Sequence, residues 1–160
     1  MINTSKVPRP SHSVSHKKIK LVLQYAVDIS GIPDQLQFRK WVNAALMQPA
    51  EIVLRIVDEP EGKELNRRFR GKAKATNVLT FVYDDLQPLT GDIVLCAPVV
   101  IKEAQQQQKD LTAHYAHLTV HGVLHLQGYD HEQEAEAAIM EQLETEIVTR
   151  LGYADPYHEQ

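Results

Sequence analysis

The chain has 160 residues, 43% hydrophobic and 24% charged, which is ordinary globular usage and excludes a wholly disordered chain. Its formal charge is −4, so the protein is no general polyanion binder, and any contact with nucleic acid calls for a local basic patch. Cys96, the single cysteine, cannot close an internal disulfide and reads as a core strand residue. No apolar run approaches the roughly 20 residues that span a bilayer. Lys17-Lys18-Ile19-Lys20 followed by Leu21-Val22-Leu23 fails as a signal peptide, because Gln24 and Asp28 interrupt it and no small-x-small site follows. The expectation is a cytoplasmic protein without a membrane partner.

In chain order, residues 1–17 hold Pro8, Pro10 and several serines without apolar periodicity and read as a flexible leader, with 18–160 as a single domain. The alternation of Ile19, Leu21 and Leu23 predicts a first strand reaching Asp28. Gly31-Ile32-Pro33 breaks it, and Asp34 caps a helix to about Met47 with Leu36, Trp41, Ala44, Ala45 and Met47 as its apolar face. Glu51 to Val57 is a second strand. Asp58 caps a helix through Arg70, which Gly71 ends. After a basic loop, Lys72 to Asn77, come strands at Val78–Tyr83 and Gly91–Cys96. Pro98 opens a helix to about Gln108, and Asp110 or Thr112 caps another to about Gln127. Gly128-Tyr129 interrupts the chain, and Asp130, with Gln133 three residues on, predicts a capping box for a last helix to Leu151. The fold class is α+β, a mixed sheet of about four strands packed with about five helices.

Five of the eight histidines fall between His114 and His131. Residues four apart on a helix share a face, so His121 and His125 project together. Gly128 permits the sharp turn that brings His131 back beside them. Three neutral imidazoles suit one Zn²⁺ and leave a fourth position open. The spacing His-x3-His-x2-Gly-x2-His is that of the metzincin proteases, which makes this a zincin-like active-site helix. The protease signature carries Glu, its general base, after the first His; here that position is Gly122. His117, one turn earlier, stands between a hydrogen bond to a ligand and a plain helix position, and His114 reads as surface. Asp130 serves either to orient a ligand ring or to cap the last helix.

From Lys63 to Lys74 six basic residues face Glu64 alone, a local charge of +5. The acidic residues collect instead in the last helix, at Glu132, Glu134, Glu136, Glu141, Glu144 and Glu146. A metal centre lacking a carboxylate base, beside arginines suited to phosphate, points to metal-dependent phosphodiester hydrolysis.

The stretch His121-Gly122-Val123-Leu124-His125-Leu126-Gln127-Gly128-Tyr129-Asp130-His131 resembles the hallmark HGxLHLxGYDH of the YbeY endoribonucleases, with every fixed letter present. Arg70 to Phe81, RGKAKATNVLTF, resembles the family's second motif, RGKDKPTNVLSF, with Ala73, Ala75 and Thr80 as departures; Val82 follows where the family has Pro. The tail from Leu151-Gly152-Tyr153 to Asp155-Pro156-Tyr157 is also similar. The resemblance implies one zinc on His121, His125 and His131 and a functional Arg70; Arg67, Lys72 and Lys74 of the basic segment are the candidate RNA contacts. It implies a single-strand-specific endoribonuclease maturing the 3′ end of small-subunit ribosomal RNA and acting in ribosome quality control, with RNA and the small subunit as partners. The proton acceptor stays open between bound hydroxide, substrate phosphate and a distant acid such as Asp92. Two rivals are a zinc peptidase and a non-catalytic assembly factor whose structural zinc is closed by a fourth side chain.

Overall fold

A computed structural model describes residues 18–84, 86 and 88–158. The expected leader, 1–17, lies outside the described residues. In chain order the elements are β1 (Ile19–Tyr25), α1 (Gln35–Ala45), β2 (Ala50–Val57), α2 (Glu59–Arg70), β3 (Val78–Asp84), β4 (Leu89–Cys96), α3 (Ala97–Gln106), α4 (Leu111–Leu126) and α5 (Glu134–Arg150). The four strands form one mixed sheet in the order β1-β2-β4-β3. β1 and β4 run parallel to β2, and β3 pairs antiparallel with β4. The expected α+β architecture is therefore observed.

Strand alternation divides the core. Ile52, Leu54 and Ile56 of β2, with Ile93 and Leu95 of β4, belong to the main cluster, which also takes Phe38 and Trp41 of α1 and Tyr115 of α4. The intervening residues of β4, Val94 and Cys96, join Val57 and Leu79 in a smaller cluster on the opposite face, against Leu65 of α2. Phe38 meets Tyr115 edge to face at a centroid distance of 6.1 Å, fixing α1 against α4.

α4 organises the molecule. From His114 to Leu126 every residue is buried except His121 and His125. Gly122 lets this helix lie close on the sheet: a Cβ there would stand 3.1 Å from Ile93 Cγ2. At its C-terminal end Gln127 clasps α1, accepting from the Met47 N–H (2.8 Å) and donating to the Ala45 carbonyl (2.9 Å).

Several helix signals act as read. Asp34 forms a full capping box with Gln37, Asp58 accepts from the Glu61 N–H, Gly71 closes α2 in the left-handed region, and Asp110 accepts from the Ala113 N–H. Others shift. β1 stops at Tyr25, and Asp28 instead accepts from the Ser30 N–H in a turn. β4 begins earlier, at Leu89, and α3 ends at Gln106. α1 buries Phe38, Trp41, Val42 and Ala45, while Leu36 and Met47 are exposed. α5 starts after Gln133, which makes no side-chain cap; Asp130 accepts from the His131 N–H at 2.6 Å instead.

Candidate metal centre and basic cleft

A cleft of about 790 Å³ brings together two segments far apart in sequence. One wall carries His121 and His125 from α4 and His131 from the turn after it; the other carries Arg70, which ends α2, with Lys72 and Lys74 of the following loop. The three imidazoles cluster, with ring centroids 6.2 Å apart for His121–His125, 5.4 Å for His121–His131 and 5.8 Å for His125–His131. Ligand atoms of His125, Asp130 and His131 all lie within 4.8 Å of one another, a grouping that could hold a metal ion. His121, the remaining predicted ligand, stands outside that grouping, and Asp130 stands outside the cleft lining; the helix-capping alternative for Asp130 does not occur.

Two of the rings are held in a defined tautomer. His125 Nδ1 lies 2.8 Å from the Tyr129 carbonyl oxygen, which can only accept, so Nδ1 carries the proton and Nε2 keeps its lone pair. His121 Nδ1 lies 2.7 Å from Glu144 Oε2 and donates to it in the same way. Among the described residues no protein group takes Nε2 of either ring. Both therefore have the protonation that a metal ligand requires.

Glu144 is fully buried in α5. It accepts from His121, from His117 Nε2 at 2.6 Å and from the Tyr157 hydroxyl. Burial pushes its carboxyl up, but the hydrogen bonds from His117, His121 and the Tyr157 hydroxyl outweigh this and bring it down to about 2. Burial and the Glu144 carboxylate raise the Tyr157 phenol. Nothing in the sequence separates Glu144 from the other glutamates near it; its distinction comes from partners on another helix. His114, read as surface, is buried, donates its Nε2 proton to Glu103 Oε1 at 2.9 Å, and is lowered chiefly by desolvation.

Arg70, Lys72 and Lys74 are exposed at the cleft. Asn66, which carries no signal in the sequence, holds their loop: its side-chain amide donates to the Lys74 carbonyl at 2.5 Å and its main-chain carbonyl accepts from the Lys72 N–H. Arg67 does not line the cleft and is paired with Glu64 at 2.7 Å on the outer face of α2. Asp92 is outside the lining as well, bound by the Tyr83 hydroxyl at 2.7 Å.

The α+β scaffold and this histidine-rich centre beside a basic wall define a metal-competent site suited to an anionic substrate. Residues 13–152 match the family described as endoribonuclease YbeY. Curated relatives of that name include those of Nitrosomonas europaea, 66% identical over 92% of this chain and 91% of theirs, and Nitrosospira multiformis, 60% identical over 88% and 82%. A further one, from Stenotrophomonas maltophilia, is 52% identical over 88% and 94%. The solution structure of TM1509 from Thermotoga maritima shares the fold, with a TM-score of 0.51 over 88% of this chain and 99% of that one at 23% identity. The chain belongs to the endoribonuclease YbeY family.

Proposed function

We propose that this protein is a zinc-dependent, single-strand-specific endoribonuclease of the cytoplasm, acting on the 3′ end of small-subunit ribosomal RNA during maturation and quality control of the ribosome. The observation that carries the reading is one cleft lined by both His121, His125 and His131 and by Arg70, Lys72 and Lys74. The names of the relatives support the activity, and the absence of any helix long and apolar enough to cross a membrane, among the described residues, accords with it.

His121, His125 and His131 would hold the ion; imidazole donors suit zinc among the available divalent metals. When bound, such an ion supplies Lewis acidity toward a phosphate oxygen and toward water. Arg70 grips the phosphate through paired N–H donors and stabilises the charge that grows on it in the transition state. Lys72 and Lys74 neutralise flanking phosphates. The peptidase rival lacks its base for a steric reason too: position 122 faces Ile93, so a side chain there meets the sheet. The structural-zinc rival requires Asp130 to close the site.

The test is cleavage of single-stranded and duplex RNA by zinc-loaded protein, with Arg70→Ala and Asp130→Asn compared and metal content measured in each. The expected result is cleavage of the single strand only. Arg70→Ala loses about 10²–10³ in kcat and keeps its metal. Near-normal turnover in Arg70→Ala refutes the phosphate clamp. Loss of zinc on Asp130→Asn, with no cleavage by the parent protein, returns the closed structural site.

A further inference from the structure

The C-terminal segment after α5 reaches the candidate metal centre from behind, through Glu144. Asp155 accepts from the Thr145 hydroxyl at 3.2 Å and from the Tyr157 N–H at 2.9 Å, and Lys109 Nζ donates to the Pro156 carbonyl at 2.9 Å. These bonds lay the segment as a strap across α5. They seat the Tyr157 ring edge-on to His117, 5.3 Å between centroids, with its hydroxyl on Glu144 Oε1.

Glu144 therefore receives three donors: His117 and Tyr157 on Oε1, and His121 on Oε2. Two donors on one oxygen leave the carboxylate no rotational freedom, so Oε2 has one place to point. His121 then has one tautomer available, with the proton on Nδ1 and the lone pair on Nε2 toward the cleft.

We propose that Glu144 and Tyr157 are positioning residues for the metal centre, the strap locking Glu144 so that Glu144 locks the tautomer and orientation of His121. This rests on the reading of His121 as a metal ligand. An amide at 144 shows the logic. With its oxygen toward His117 and Tyr157, its NH₂ faces His121 and demands an acceptor at Nδ1. The ring proton then moves to Nε2, the atom that must bind the ion. The reversed amide points its N–H groups at the Tyr157 hydroxyl, which must then accept, and at His117 Nε2, which must give up its proton to a buried Nδ1 that has no partner.

The experiment uses the full chain. Zinc affinity is measured by chelator competition for the parent protein, Glu144→Gln, Tyr157→Phe and His121→Ala. The His121 tautomer is read in metal-free protein at pH 8 by long-range ¹H–¹⁵N correlation. Glu144→Gln is expected to weaken zinc about 10–100-fold and to move the His121 proton to Nε2. Tyr157→Phe, which keeps the charge and loses one hydrogen bond, weakens zinc about 2–10-fold. An unchanged tautomer or an unchanged affinity in Glu144→Gln overturns the proposal; should that variant not fold, unchanged affinity in Tyr157→Phe does so. Zinc retained by His121→Ala removes the ligand reading itself. Zinc lost there but held normally by Glu144→Gln removes only the positioning role.

Discussion

Gly122→Ala tests how closely the histidine-bearing helix is matched to the sheet. The added methyl would stand 3.1 Å from Ile93 Cγ2, 3.4 Å from Cδ1 and 3.5 Å from Cγ1, all on one β-branched side chain with no exposed surface. Ile93 sits in β4 between two paired neighbours, so it yields little, and overpacking of this kind costs about 1–3 kcal/mol. Alanine in a helix interior recovers about 0.8–1.0 kcal/mol relative to glycine. The balance is a loss of about 1 kcal/mol, or a fall of about 2–4 °C in Tm for a chain of this size. The metal centre is more sensitive. His121 and His125 flank the substitution, and ligand distances are tolerated within only about 0.2 Å. A shift of a few tenths of an ångström in α4 therefore weakens zinc. Thermal unfolding of metal-free protein gives the first quantity and chelator competition the second. A rise in Tm with unchanged zinc affinity would show that propensity dominates and that α4 is not seated against Ile93.

Metal removal should raise hydrogen exchange at residues 127–133, the turn carrying His131, while the buried body of α4 stays protected; equal loosening of the sheet would mean that the ion organises the whole fold. Lys72→Ala and Lys74→Ala should each weaken binding to single-stranded RNA and reduce its salt slope by roughly 0.7, whereas Arg67→Ala, already paired with Glu64, changes it least; equal slopes in all three variants refute this ordering. Glu144 titrates at about 2 in the fold against an ordinary 4.5. Its stabilising contribution is thus present above about pH 4.5 and lost as pH falls toward 2. Acid unfolding of metal-free protein should show a shallower dependence across that range in Glu144→Gln, and identical curves would contradict it.

Much of the scaffold is legible locally because its signals act within a turn of chain. Asp34, Asp58, Gly71 and Asp110 each satisfy backbone groups three or four residues away, and their neighbourhoods suffice to read them. Asp130 defeats the same reasoning: its carboxylate suits a helix N-terminus or the His131 N–H equally, and the turn geometry decides for the latter. The face of α1 is ambiguous in phase for a related reason. Leu36 and Phe38 both fit an apolar stripe, and the edge-to-face contact with Tyr115 selects Phe38. The histidine triplet and Arg70 are visible as motif and charge, but Glu144 and Asn66 are not. Glu144 is 23 residues from His121, and only the packing of α5 on α4 makes it different from its neighbours.

The two walls of the cleft come from residues 70–74 and 121–131, and the side chain behind His121 comes later still, at 144. This ordering has a temporal consequence. A chain made from its N-terminus has the basic wall first and no centre opposite it; the histidines follow on a helix whose burial requires β4, α1 and α5 to be in place. The cleft therefore exists only once both segments and the elements packed around them are in place. A copy in which α4 is not packed keeps the basic loop but has no opposing histidine wall.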